Sequence, residues 1–274
     1  MLSLIPTPIG NISDITIRSL QVLSTADIIL CEDTRVSKKL LHLLQERYDL
    51  KLKDTLEFKS LHSHNEDEFI KAVTPQFFEQ NIIYMSDAGM PGISDPGQVL
   101  VKYAQHHGLE YDILTGANAA LTAFVASGFD GSEFSFMAFL PHKGEDRAKA
   151  LNRALYNGFT TILYESPKRL VKLLNEIDAI DSKREIFLAK ELTKKFQTFY
   201  RGSAKELLLQ LDSEIKGEWV VVISSSPSRD SAISERDILE LDIPKKVAAK
   251  LISKITNESP KECYNRLINK EEIC

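Results

Sequence analysis

The twelve-residue run Ser86-Asp87-Ala88-Gly89-Met90-Pro91-Gly92-Ile93-Ser94-Asp95-Pro96-Gly97, directly after the apolar stretch Ile82-Ile83-Tyr84-Met85, constrains this chain more than any other segment. It holds five Gly or Pro residues and two carboxylates. Proline fixes a loop in advance and glycine lets backbone approach a ligand closely, so the run exceeds what a plain connector needs. A second turn-rich run, Thr7-Pro8-Ile9-Gly10-Asn11, closes the apolar stretch Leu2-Ser3-Leu4-Ile5. Open α/β sheets bind ligands at the carboxyl ends of their strands. Two such edges imply one cleft.

Around these runs the apolar periodicity alternates between strand and helix. The first half reads as strands over 2–5, 27–31, 57–61, 82–85 and 111–114, with helices capped near Asp14 and over 37–46, 66–80 and 98–107. That alternation predicts an α/β fold with a mostly parallel sheet. The small residues Thr115-Gly116-Ala117-Asn118-Ala119-Ala120 then lead through a helix to a turn at Ser127-Gly128-Phe129-Asp130-Gly131. Beyond it, strands over 133–139, 160–164, 185–190 and 219–224 alternate with helices near 147–157, 167–176 and 204–211. Ser224-Ser225-Ser226-Pro227-Ser228 reads as a linker. Two short helices over 244–252 and 259–264, joined by a turn at Asn257, give a helix-turn-helix outline. The expected organisation is an α/β domain over 1–114, a second over 115–226 that completes the cleft, and a small helical domain over 233–274.

With 274 residues, 43% of them apolar and 27% charged, the chain buries an ample core. Cys31, Cys263 and Cys274 form no C-x-x-C pair and no disulfide framework, which points to a reducing cytoplasm and away from a thiolate metal site. His62 and His64 have no third ligand at standard spacing, so no metal is expected. No basic leader precedes an apolar core at the start, and no apolar run reaches membrane-spanning length. A soluble, cytoplasmic protein is expected. The net charge of −5 is uneven: from Phe136 to Arg201 there are thirteen Lys or Arg against eight Asp or Glu. A basic surface on an acidic protein is a candidate nucleic-acid footprint.

Charged residues also gather at strand ends. Glu32-Asp33-Thr34-Arg35 follows one strand, Glu165-Ser166-Pro167-Lys168-Arg169 another, and Glu191-Leu192-Thr193-Lys194-Lys195 a third. Clustered at equivalent ends, they face a cleft. The chain has no G-x-x-x-x-G-K-[ST] loop, no G-x-G-x-x-G with a ribose-binding acid and no G-x-S-x-G elbow, which excludes P-loop, dinucleotide and hydrolase-elbow readings.

The runs 7–11 and 86–97, with Asp14-Ile15-Thr16, Cys31-Glu32-Asp33-Thr34-Arg35, Ser127-Gly128, Phe139-Leu140-Pro141, Glu165-Ser166-Pro167, Glu191-Leu192-Thr193-Lys194-Lys195 and Lys216-Gly217-Glu218, closely resemble the ribosomal RNA methyltransferase branch of the tetrapyrrole methylase superfamily. The resemblance runs in order through about 2–224. It implies two α/β domains with S-adenosylmethionine held between them, 2′-O-methylation of a cytidine ribose in 16S ribosomal RNA of the small subunit, and a homodimer. It carries cofactor contacts to Ile9, Asp87, Ala88, Gly89, Ile93, Asn118, Ala119, Tyr164 and Glu218. The chain departs from the family pattern at Asn118, where Ser is usual, at Lys168, where His is usual, and at Gln197, where Glu is usual.

For such a reaction much of the rate comes from alignment, and a weakly acidic hydroxyl profits from a nearby base or cation. Glu32, Asp33 and Arg35 are the candidate catalytic residues, with Glu165, Glu191 and Lys194 in reserve. Lys168, Arg169, Lys194 and Lys195 are the candidate RNA contacts. Two other readings stay open: a sister methylase acting on a small molecule or a modified residue, and a nucleic-acid-binding module whose cleft is vestigial.

Overall fold

The computed structural model describes residues 1–226, 235–241, 243–256 and 258–269. The first half builds a five-stranded sheet from β1 (Leu2–Ile5), β2 (Ile28–Cys31), β3 (Glu57–Ser60), β4 (Ile82–Met85) and β5 (Tyr111–Ile113). Its order is β3-β2-β4-β1-β5 and every pairing is parallel. The central strands β1, β2 and β4 are buried throughout because both faces are covered, as in buried parallel sheets, whereas the edge strands β3 and β5 are largely exposed. Leu2, Leu4, Leu30 and Tyr84 pack with Phe69, Leu100 and Tyr103 on one face. Ile5, Ile29, Ile83 and Met85 pack with Leu23, Leu41 and Leu44 on the other.

Register decides where the loops emerge. Met85 lies opposite both Ile5 and Cys31, so β1, β2 and β4 end level with one another. Their following segments, which contain Thr7–Asn11, Glu32–Arg35 and the run 86–97, therefore leave the sheet side by side. Helices α1 (Ile17–Leu23), α2 (Thr34–Tyr48), α3 (Glu66–Ala72) and α4 (Gly97–His106) connect the strands. The single helix expected over 66–80 is broken. Pro75 lacks an N–H and forces Thr74 into extended backbone at φ −117°, ψ 160°, so α3 stops at Ala72 and a 3₁₀ helix, Pro75–Glu79, follows.

The second sheet is mixed, and it holds a strand that the sequence pattern does not mark. Strands β6 (Phe134–Phe139), β7 (Thr160–Glu165), β8 (Glu185–Lys190), β9 (Thr198–Ser203) and β10 (Trp219–Ile223) run in the order β6-β7-β10-β8-β9. Only β6 and β7 pair in parallel; the other three pairings are antiparallel. The reason is β9, which escapes the sequence pattern. Its outer position leaves Thr198, Phe199 and Arg201 exposed, so no apolar run marks it. The short return from β8 into β9 turns the chain back without the crossover helix that a parallel pairing needs.

Helices α6 (Gly144–Tyr156), α7 (Pro167–Ile180) and α8 (Ala204–Gln210) share the core of one face of this sheet, where Leu151, Leu170, Leu173 and Leu207 meet Leu163, Leu188 and Val221. Against the other face lies α5 (Ala119–Ser127), whose Ala120 and Ala123 meet Ile162, Phe187, Val220 and Val222. Ile9 joins that same cluster from the loop after β1, so the two sheets share a core at this point. Helices α9 (Glu235–Leu239), α10 (Lys245–Ile255) and α11 (Pro260–Asn269) pack on each other through Ile238, Ala248, Ala249, Ile252, Cys263 and Leu267. Of the expected linker, Pro227 and Ser228 lie outside the described residues, as do the turn residue Asn257 and Cys274.

Candidate functional site

The carboxyl ends of β1, β2 and β4 face the second sheet across a cleft. Two cavities occupy it, of about 100 and about 430 Å³, and they share Ile9, Ala88, Ser94, Ala119 and Tyr164 in their walls. The smaller adds Glu32, Gly89, Ile93, Asp95 and Asn118. The larger adds Phe139, Glu165, Leu192, Glu218 and Trp219. Its size falls in the roughly 300–1,000 Å³ range of small-molecule sites.

The loop after β4 is fixed by its own polar groups. Asp95 Oδ1 accepts from the Gly92 and Gly97 N–H groups at 2.8 and 2.9 Å. Gly89 and Thr7 exchange both backbone hydrogen bonds at 3.0 Å, which ties the two loops together. Gly89 has φ +85°, and a Cβ there would lie 3.1 Å from Ile9 Cγ2. Both strain and space therefore favour glycine at this position. Gly10 is lodged still more tightly: a Cβ would lie 2.3 Å from Lys194 Cγ and 2.7 Å from the Leu192 carbonyl oxygen. Beside it, the Asn11 N–H donates to Thr193 Oγ1 across the cleft at 3.1 Å.

Among the described residues, the first-wall carboxylates Glu32 and Asp87 form no ion pair. Glu32 Oε1 accepts from the Asp87 N–H and Asp87 Oδ1 from the Asp33 N–H, each at 3.3 Å. Partial burial pushes the Glu32 carboxyl above the usual carboxylate range, although the Asp87 N–H opposes it; the Asp95 and Asp87 charges raise it further, and His62 opposes the rise from a distance. Burial likewise raises Asp87, helped by the Asp33 and Asp95 charges against the Asp33 N–H.

The expected catalytic cluster divides. Glu32 lines the cavity, whereas Asp33 and Arg35 do not. Asp33 caps α2, accepting the Arg35 N–H, and its carboxylate holds the Arg35 guanidinium at 2.6 Å. That guanidinium holds the Asp33 carboxyl down at about 2. The Arg35 side chain is 89% exposed. It points to solvent because the first-turn backbone delivers it onto its own capping residue.

Of the expected cofactor contacts, Ile9, Ala88, Gly89, Ile93, Asn118, Ala119, Tyr164 and Glu218 line the two cavities. Asp87 stands behind them, bound to Asp33 and Glu32. Asn118 Oδ1 is committed to capping α5 through the Leu121 N–H. The expected RNA contacts also divide. Arg169 Nε donates to the buried Glu165 at 2.6 Å, and Lys194 bridges Glu191 and Glu218 at 2.9 Å each. Lys168 and Lys195 are both exposed. Trp219 of the larger cavity's wall is not among the expected site residues, and Phe139 enters only as part of a resembling run; an aromatic at a strand end reads as core until the fold opens a cleft beside it.

The geometry defines a two-lobed α/β protein with a ligand cavity between its lobes. Residues 1–208 match the model of the tetrapyrrole (corrin/porphyrin) methylases, and the chain belongs to that family. It is 49% identical to a protein of Campylobacter fetus named ribosomal RNA small subunit methyltransferase I, covering 98% of this chain and 100% of that one. A Helicobacter pylori protein of the same name is 43% identical, each chain being covered in full. Among solved structures, the methyltransferase CobJ superposes with a TM-score of 0.59 at 17% identity, over 82% of this chain and 94% of that one. The uroporphyrin-III C-methyl transferase of Thermus thermophilus, complexed with S-adenyl homocysteine, does so with a TM-score of 0.53 at 13% identity, over 81% and 96%.

Proposed function

We propose that this chain transfers a methyl group from S-adenosylmethionine to the 2′-hydroxyl of a cytidine in 16S ribosomal RNA, acting in the cytoplasm as a homodimer on the small subunit. The observation that carries the reading is the match over essentially the whole chain to relatives named as small-subunit ribosomal RNA methyltransferases. Among the described residues no helix is long and apolar enough to cross a membrane.

The cavity residues fit the cofactor. Ile9, Ala119, Leu192 and Val220 offer apolar surface for an adenine ring. Gly89 leaves room beside Ile9 that a side chain would fill, and the carboxylates of Glu32 and Asp95 suit a cationic ligand. When bound, S-adenosylmethionine supplies a methyl group on a positively charged sulfur. The chain must align the ribose oxygen and take up its proton. Glu32 is suited to receive that proton, because its Oε1 is occupied by the Asp87 N–H while, among the described residues, Oε2 makes no hydrogen bond. A carboxyl raised by burial is a stronger base once ionised than an ordinary glutamate. With the methyl group supplied from beside Glu32 and Asp95, Glu32 would take up the hydroxyl proton, so one negative charge of the cluster would be neutralised as the hydroxyl is methylated.

Labelled methyl transfer tests the reading, with small subunits, naked 16S ribosomal RNA and a corrinoid precursor compared side by side. Label in RNA nucleotides whose 3′ linkage resists alkaline cleavage is expected, because a methylated 2′-oxygen cannot attack the neighbouring phosphate. Label in the corrinoid alone would overturn it.

A further inference from the structure

The loop 191–197, between β8 and β9, contributes to the cleft at one end and reaches solvent at the other. Leu192 is buried and lines the larger cavity. Four residues further on, within at most about 14 Å of chain, Phe196 is 70% exposed. A large exposed aromatic costs solvation, and here nothing about the loop is loose. Glu191 and Thr193 sit in the left-handed region at φ 52° and 62°. Glu191 is held below the usual carboxylate range, against the effect of burial, by the Glu218 N–H and by Lys194. The Thr193 N–H donates to Gln197 Oε1 at 2.7 Å, and Lys194 ties the loop to Glu218. The loop is built to hold Phe196 outward.

Its surroundings are cationic and open. Lys195 Nζ lies 5.5 Å from the Phe196 ring centroid. Lys194 and Lys195 form one wall of an open groove of about 720 Å³, with Gly10, Asn11 and Ile12 in its floor and Leu43, Glu46 and Arg47 of α2 opposite. Glu46, its one carboxylate, lies 3.4 Å from His42 Nε2. Gly10 and Asn11 continue directly from Ile9 of the cofactor cavity, so the groove adjoins the cleft. A rigid aromatic flanked by flexible cations is what single-stranded nucleic acid requires: bases stack on the ring and phosphates meet the ammonium and guanidinium groups.

We infer that Phe196 is a stacking platform for an RNA base next to the methylated nucleotide, and that Lys195 and Arg47 hold phosphates of the same strand along the groove. The inference rests on the ribosomal RNA reading above and deepens it by assigning the strand's path. A duplex could not use Phe196 in this way, because its bases are already stacked; the groove takes an unpaired segment.

The experiment uses the full chain and an unmethylated small-subunit ribosomal RNA, with methyl transfer measured as a function of RNA concentration and salt. Phe196→Ala is expected to raise KM for RNA about tenfold, with kcat and S-adenosylmethionine affinity within about twofold of the parent. Phe196→Trp is expected to restore KM. Lys195→Ala is expected to reduce the slope of log affinity against log salt by roughly 0.7. An unchanged KM in Phe196→Ala overturns the inference while leaving the methylation reading intact. So does a Phe196→Ala protein whose sedimentation shows a changed subunit number, since the ring would then belong to a contact between copies. A parent protein that transfers no methyl to RNA defeats the methylation reading itself, and this inference with it.

Discussion

The two walls of the cleft carry comparable numbers of acids and treat them in opposite ways. On the first, Glu32 and Asp87 accept backbone N–H groups, form no ion pair among the described residues and are pushed up by burial. On the second, the acids are held in ion pairs. Glu165, its side chain 1% exposed, is held by Arg169 at 2.6 Å with Arg147 at 3.8 Å, and Glu191 and Glu218 share Lys194. The first wall presents carboxylates outside any ion pair, and the second presents ion-paired acids beside a largely apolar surface. Uncompensated charge costs stability and is kept where chemistry or a cationic ligand uses it; matched charge is scaffold.

The sharpest break of that comparison is on the scaffold side. Glu165→Leu takes the carboxylate partner from the largely buried Arg169 guanidinium, while Arg147 keeps Glu176 at 2.8 Å, and a loss of about 3–5 kcal/mol in chemical denaturation is expected. A variant as stable as the parent would show the second-wall acids to be dispensable. Gly89→Val should weaken S-adenosylmethionine binding by at least about a hundredfold in calorimetry, because it adds both left-handed strain and a side chain against Ile9. Circular dichroism must show the variant folded.

Glu32→Gln should slow methyl transfer by on the order of 10²-fold at saturating substrates without loss of melting temperature near neutral pH. The sign follows from the raised carboxyl. Protonation is favoured in the folded state, so whatever stability this group contributes is present below its unfolded value and lost as pH rises through the folded one. Replacing it by a neutral isostere removes that penalty. For the parent, the acid limb of rate against pH should lie above the ordinary glutamate range; a limb below it would exclude Glu32 as base.

Smallest of all should be Arg35→Ala. An exposed pair one turn from solvent predicts less than about threefold change in rate and a melting temperature barely moved. A hundredfold loss of single-turnover rate would place Arg35 in the reaction after all. Lowering the pH through about 2 should release the pair by protonating Asp33, whose contribution is present above its unfolded value and lost as pH falls through the folded one.

What could be read from the sequence divides along the same line. The central strands β1, β2 and β4 of the first sheet are legible because strands buried on both faces are written as largely apolar runs, and the loops that end them are written in Gly, Pro and carboxylates. Four strands of the second sheet are legible from largely apolar runs as well, but β9 is not, because it is an edge strand with Thr198, Phe199 and Arg201 in water, and the direction of β10 leaves no trace in its composition. The break after α3 is marked by Pro75 but hidden beneath a good helical period. In the site, Glu32, Asp33 and Arg35 stand within four residues and look equivalent; only the cap geometry at the start of α2 separates the one facing the cavity from the two that satisfy each other. Phe196 illustrates the reverse case, since no pattern of neighbours distinguishes an exposed phenylalanine from a core one.

The paired hydrogen bonds between Thr7 and Gly89 also bear on selectivity. Because they occupy the N–H of Gly89 and, with the Ser86 hydroxyl, its C=O, Gly89 has no polar group left to offer a ligand and meets it only as a surface. Discrimination there is by bulk: an analogue enlarged by one methylene on the side that meets Gly89 would be disfavoured by about 10–200-fold, the range open to a purely steric filter, whereas one altered only in hydrogen-bonding capacity would pass unnoticed.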